Sequence, residues 1–330
     1  HDIITNTIQW RDYLLALGFK GADPIFPKIE NRLISNDLLK QSIQKEEIKS
    51  ETTIRNVFKK AFESVALNIS SLGAKAHLMT IVGNDEEALL FKQLLNEAGI
   101  CNNLVEANRR TTIKTRIYEN NKYVLRYDIE DTYDLEEEAI NKLLANIKLA
   151  MEKVPLGAIV LQDYNKGVLT ERTIEAIISY AKDNNIPVAV DPKEKYFFEY
   201  QQVDLFKPNL KEVNKALNAD IKGDDEIGLK KLCGKLKDSI AAKSILLTLA
   251  QHGAVALDEV GFYKVEAHER EVVDVSGAGD TVIAMASLLL ALEFSTNKIM
   301  FYSNLAGGLV IEERGVKALD LALWESTLGI

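Results

Sequence analysis

Residues 273–281 read Val-Asp-Val-Ser-Gly-Ala-Gly-Asp-Thr and lead straight into the apolar stretch 282–292. Glycines at 277 and 279 let the backbone come close to a ligand and turn its amides one way. A helix beginning at 282 adds the partial positive charge of its N-terminus. Together Gly277, Ala278 and Gly279 would cradle an anion, above all the charge that develops on a phosphoryl group in transfer. Asp280 stands at the mouth of that cradle, where a carboxylate can take the proton of an attacking hydroxyl. The plainer alternative is a glycine-rich turn with Asp280 capping the helix. No Gly-Lys-Ser/Thr follows, so this is not a Walker loop, and the spacing is not Gly-x-Gly-x-x-Gly.

Chemistry of this kind needs a frame. Apolar runs at 77–82, 157–162, 187–190, 203–207 and 244–249 predict strands, and 254–258 with 261–265 predicts a hairpin. Between them, helical spacing predicts helices at 65–74, 86–98, 135–153, 169–184, 210–217 and 223–236. This alternation predicts an α/β fold, a mainly parallel sheet with helices on both faces. Sheets of this kind place their chemistry at the carboxyl ends of the strands. Gln162-Asp163, Asp191-Pro192-Lys193, Lys207-Pro208-Asn209 and Thr248 all fall at those ends. Asn209-x-x-Glu212 reads equally as a helix N-cap with an acidic first turn. Segments 112–118 and 123–128 predict a strand pair carrying Lys114, Arg116 and Arg126. Three cations on neighbouring strands suit a phosphorylated ligand, and equally a solvated edge.

The composition narrows the classes. The chain has 330 residues, 40 Lys+Arg against 49 Asp+Glu and a net charge of −9, which argues against general affinity for nucleic acid or an anionic membrane. A salt-dependent DNA-binding role is the weakest reading. Cys101 and Cys233 form no disulfide framework, and His1, His77, His252 and His268 are scattered, so a zinc site lacks support. The opening residues show no basic segment followed by an apolar one, and 282–292 is shorter than the roughly 20 residues a bilayer demands. A soluble cytoplasmic protein is expected.

The run Asp274-Val-Ser-Gly-Ala-Gly-Asp280 resembles the second signature of the ribokinase-like (PfkB) sugar kinases, and residues 65–330 are similar to that family throughout. The resemblance implies a ribokinase-like kinase domain over 65–330, with a small β lid at about 112–128. It also implies ATP and Mg2+ as reactants and pairing into a homodimer through the lid. Asp280 would be the general base and the amides of Gly277, Ala278 and Gly279 the anion hole. Asn209 and Glu212 would act on magnesium, through water. Lys193, Asn209, Thr248, Gly253 and Asn304 would bind the nucleotide, although Lys193 also reads as a solvated lysine and Asn304 as a packed helical one. Ala250 stands where the family usually has glycine. Lys114, Arg116, Arg126, Asp163 and Lys166 would meet the sugar phosphate. The features Gln162-Asp-Tyr-Asn-Lys-Gly167, Val190-Asp-Pro-Lys193 and Lys207-Pro-Asn-Leu-Lys-Glu212 resemble members that phosphorylate D-glycero-D-manno-heptose 7-phosphate. The alternatives are a kinase for another sugar or a nucleoside, and a silent nucleotide-binding remnant.

Residues 1–64 depart from the family. An opening strand ending in Gly-Asp and a Gly-Gly-Ala-x-Asn element are expected before the first helix, yet the chain there reads Lys60-Ala-Phe-Glu-Ser64. The segment carries polar helical patterns, and residues 10–63 resemble a fragment of a phage-type tyrosine recombinase. Loss of an opening strand would strip hydrogen bonds from its neighbours and remove part of the sugar pocket.

Overall fold

The computed structural model describes residues 3–7, 65–119, 122–267, 272–312 and 317–328. The recombinase-like segment 10–63 lies outside them. Nine strands form one sheet: β1 (Ile3–Thr7), β2 (Ala76–Val82), β3 (Cys101–Glu106), β6 (Ala158–Gln162), β7 (Val188–Asp191), β8 (Leu205–Phe206), β9 (Ser244–Thr248), β10 (Ala254–Leu257) and β11 (Phe262–Val265). Their order across the sheet is β11-β10-β9-β8-β7-β6-β1-β2-β3. β4 (Ile113–Glu119) and β5 (Lys122–Ile129) make a separate antiparallel pair, the expected lid. The pairs β2–β3 and β6 through β9 are parallel, while β1 and the β10–β11 hairpin run antiparallel to their neighbours.

The apolar strands are apolar because both faces are buried. Ile159, Leu161, Val188, Val190, Phe206, Ile245 and Leu247 point into one core, while Val160, Ala189, Leu205, Leu246, Ala254 and Ala256 point into the other. The first core packs under helices α3 (Glu137–Lys153), α4 (Glu171–Asp183) and α6 (Glu226–Ile240). The second packs under α1 (Val65–Ser71), α7 (Ala278–Ala291) and α8 (Thr296–Val310). The small side chains Ala189, Ala254 and Ala256 let that second layer come close. Buried from Thr281 to Leu289, α7 is apolar all round, as a helix enclosed on all sides must be. Asn68 fixes its start: the Asn68 Oδ1 accepts hydrogen bonds from Thr281 Oγ1 (3.1 Å) and from Leu319 N (3.0 Å).

Three expectations need correction. The opening residues, read as part of a helical segment, include β1, which fills the slot between β2 and β6 and pairs with both. Two strands with open edges offer amides and carbonyls, and an antiparallel strand satisfies them as well as a parallel one. The strand β3 escaped the sequence reading because its Cys-Asn-Asn start is half-exposed at the sheet's end, where no apolar run is required. Finally, α7 begins at Ala278 and not at 282, since Gly277 adopts the left-handed conformation (φ 83°) and serves as N-cap. α2 (Glu86–Glu97), α5 (Leu210–Ala216) and α9 (Leu321–Leu328) complete the helices described.

Candidate active site

With Gly277 as N-cap, Asp280 lies inside the first turn of α7, so it is no cap. That turn's first amides have no carbonyl partner along the helix, although Ala278 N lies 3.4 Å from Val275 O, and Gly279 is exposed. The helix end sits over the carboxyl ends of the central strands. Tyr164, just past β6, donates its hydroxyl to Asp280 Oδ1 at 3.0 Å. Burial, and next the Asp191 carboxylate, push Asp280 up to about 6, against the pull of the Tyr164 hydroxyl and the Lys207 and Lys193 ammonium groups. A carboxyl poised there is ionised at neutral pH yet basic enough to accept a proton.

Beneath the glycine loop lies a buried ion pair. Lys207 Nζ stands 3.0 Å from Asp191 Oδ2, with Lys207 3% and Asp191 5% exposed. A side chain on Gly279 would begin 3.8 Å from that ammonium. Lys207 therefore places a positive charge under the glycine loop, and Asp191 holds it there. Both residues were visible as polar strand ends, but nothing in the sequence paired them.

Asn209 is the N-cap of α5 in a reciprocal capping box: its Oδ1 accepts from Glu212 N (3.0 Å), and Glu212 Oε2 accepts from Asn209 N (2.9 Å). Lys193 Nζ bonds Glu212 Oε1 at 2.5 Å. Burial works to lower the Lys193 pKa, but the Asp191 and Glu212 carboxylates hold it above the ordinary value, and its side chain is 32% exposed. Both Glu212 oxygens are engaged, which suits contact with a hydrated cation through water better than direct ligation. Thr248 ends β9 in register with Asn209, its hydroxyl 3.4 Å from Pro208 O. Gly253 and Asn304 meet on the chain leaving β11. A side chain on Gly253 (φ 80°) would strike Val265 O at 2.0 Å, and Asn304 Nδ2 donates to Glu266 O at 3.2 Å.

On the other flank the loop 163–167 is pinned on every side. Asp163, expected to touch substrate, is fully buried and turned inward, accepting from Asn165 N (2.7 Å) and the Tyr200 hydroxyl (2.8 Å). It shapes the loop and does not face the cleft. Gly167 (φ 77°) leaves no room for a side chain, since Tyr133 O lies 2.0 Å from where one would start. Lys166 Nζ bonds Glu130 Oε1 at 2.5 Å beside the end of β5, and Arg109 Nη2 donates to Lys166 O at 2.8 Å. Lys114 reaches in from β4, its Nζ 4.9 Å from the centre of the Tyr164 ring. Arg116 and Arg126 face each other across the lid ladder, and their side chains lie outside the described residues. Sequence reasoning passed over Tyr164 and Tyr200, whose hydroxyls bond Asp280 and Asp163: the motif around 162–167 marked the place, but a hydroxyl's partner is a tertiary fact.

The sequence profile of the pfkB family of carbohydrate kinases matches residues 63–321. The chain belongs to this family. It is an ATP-dependent sugar kinase, and its α/β fold is ribokinase-like. Phosphofructokinase-2 from Escherichia coli superposes with a TM-score of 0.69 at 19% identity, covering 79% of this chain and 84% of that one. Ribokinase from Giardia lamblia superposes with a TM-score of 0.63 at 18% identity, covering 80% and 86%. Among curated proteins, bifunctional protein HldE from Aliarcobacter butzleri is 37% identical over 254 residues, covering 76% of this chain and 52% of that protein. HldE from Sulfurimonas denitrificans is 33% identical over 283 residues, covering 85% and 57%. The chain thus spans about half the length of the curated relatives it matches. No helix among the described residues is long and apolar enough to cross a membrane.

Proposed function

We propose that this pfkB-family kinase transfers the γ-phosphoryl group of ATP to D-glycero-D-manno-heptose 7-phosphate, giving the 1,7-bisphosphate. The observation that carries the catalytic part is Asp280, with a pKa raised to about 6, inside the first turn of α7. The substrate rests on the HldE relatives at 32–37% identity together with the motifs at 162–167, 190–193 and 207–212. Asp280 orients the acceptor hydroxyl and takes its proton as the new oxygen–phosphorus bond forms, and the bond to ADP breaks. The amides of Gly277, Ala278 and Gly279, backed by Lys207, meet the charge spread over the phosphoryl oxygens. Lys193, Thr248, Gly253 and Asn304 hold the nucleotide, and Asn209 with Glu212 meets the magnesium that accompanies ATP through its water. Lys114, Arg116, Arg126 and Lys166 meet the sugar phosphate. Most of the acceleration is positioning plus electrostatics, as phosphoryl transfer requires.

The reading places the kinase domain at 65–330, in the cytoplasm where ATP is supplied. It also has two copies pairing through the lid, a two-stranded sheet separate from the main one. The test is ADP release from ATP-Mg with the heptose 7-phosphate, run on the full chain and on Asp280→Asn. Turnover that falls about 100-fold or more in the variant, with ATP still bound, is the expected result. Equal turnover in the variant removes Asp280 as the base. Activity on free ribose, fructose or adenosine but not on the heptose phosphate replaces the acceptor. ATP binding without transfer to any sugar marks a silent remnant.

A further inference from the structure

The geometry points to Tyr164 as a positioning residue that sets the Asp280 carboxylate and links it to the lid through Lys114. This inference rests on Asp280 being the base. Three observations converge on Tyr164. Its hydroxyl donates to Asp280 Oδ1 at 3.0 Å, so it decides which carboxylate oxygen is left for the acceptor hydroxyl. The lid residue Lys114 holds its ammonium 4.9 Å from the ring centre, on the face where an aromatic ring attracts cations. And the loop that carries it is unusually constrained. Asp163 beneath it is fully buried and ties Asn165 N and Tyr200, Asn165 is held at φ 56°, and Gly167 has space for no side chain. Such a loop fixes the phenol's place independently of whatever fills the cleft.

The electrostatics follow. A cation over the ring draws electron density from the phenol and makes its O–H a stronger donor, which favours the ionised form of Asp280. The other groups facing that carboxylate are Asp191 at the end of β7, which opposes ionisation, and Lys193 and Lys207, which support it. A lid that moves Lys114 onto or off the ring therefore changes the basicity of Asp280 through one hydroxyl. Lid position and proton acceptance become coupled without contact between Lys114 and Asp280.

The experiment measures kcat, the KM for ATP and the pH profile of kcat/KM for Tyr164→Phe, Lys114→Met, the double variant and Asp280→Asn. Tyr164→Phe is expected to lower kcat about 10-fold, the worth of one hydrogen bond to a charged group. The KM for ATP should stay within about twofold, and the acid limb should move to higher pH because a donor to the carboxylate is gone. Lys114→Met should move the limb in the same direction only when Tyr164 is present. Placing 3-fluorotyrosine at 164, which keeps ring and hydroxyl but donates more strongly, should move it to lower pH. That variant serves also if Tyr164→Phe folds poorly. An unmoved limb in both Tyr164 variants, with Asp280→Asn inactive, overturns the coupling and leaves the base assignment standing. An active Asp280→Asn overturns the base assignment itself.

Discussion

The most direct physical consequence of the site concerns stability. Asp280 holds its proton up to about pH 6 in the folded protein, against an ordinary value of 3.8. Folding thus binds this proton more tightly than the unfolded chain does, and the carboxyl contributes least to stability where it is ionised in both states. Below about pH 4 both states are protonated and there is no penalty. Between pH 4 and 6 the unfolded state has lost its proton while the folded state keeps it, and the penalty grows. Above pH 6 it is complete, at about 3 kcal/mol if each pH unit of difference counts 1.36 kcal/mol. Partial exposure of Asp280 makes this an upper figure.

Asp280→Asn removes the charge and keeps the size and an acceptor oxygen for Tyr164. It should raise stability by about 2–3 kcal/mol at pH 7.5, or about 4 °C in Tm for a chain of 330 residues. The gain should vanish below pH 4. Thermal melting of wild type and variant side by side at both pH values isolates the one group, because every other titrating residue is shared. A variant no more stable than wild type at pH 7.5, or a gain that persists unchanged in acid, refutes the claim that Asp280 is held against its solvation preference. The same variant should be the inactive one, a stabilising substitution that abolishes turnover.

Two further outcomes follow from the same packing. Ala250 sits at φ 54°, a left-handed backbone that costs a side-chain-bearing residue roughly 1–2 kcal/mol, where the resemblance expected glycine. Ala250→Gly should therefore raise stability by about 1 kcal/mol in chemical unfolding, and a loss would show that the strain is absent. Lys207→Met leaves the Asp191 carboxylate buried without its partner and should cost about 3–5 kcal/mol, most of it recovered when Asp191→Leu is added. Equal instability of the single and double variants would mean that Lys207 matters for packing alone.

The frame was legible because burial on both faces leaves an unbroken apolar run, as in Ser244–Thr248 and Ala158–Gln162. Asp280 and the glycine loop were legible because backbone chemistry is written locally, in Gly-Ala-Gly. Illegible were facts of tertiary direction. Asp163 and Lys207 look alike from the sequence, each a charged residue past a strand, yet one turns inward to Asn165 and Tyr200 while the other lies under Gly279. The capping box at Asn209 shows the reverse case. There the plain reading, a helix N-cap with an acidic first turn, is what the structure holds: Glu212 caps α5 with one oxygen and meets Lys193 with the other.

The direction of β1 separates two properties that an opening strand usually combines. Ile3 stands beside Gln162, at the cleft end of the sheet, and Thr7 beside Ala158 at the far end. A parallel strand would deliver its carboxyl end, and the residue that follows, to the sugar. β1 restores the hydrogen bonds of β2 and β6 but points that end away. Sheet integrity depends on the number of ladder bonds, whereas substrate delivery depends on chain direction, so the first can be met while the second is not. The residues gathered around Asp280 come from other elements. Tyr164, Asp191, Lys193, Lys207 and Glu212 come from the ends of β6, β7 and β8 and the start of α5, and Asp280 comes from α7. Under the proposed function, choice of acceptor would then fall to the lid strands and to the loop that Lys114 reaches at Tyr164.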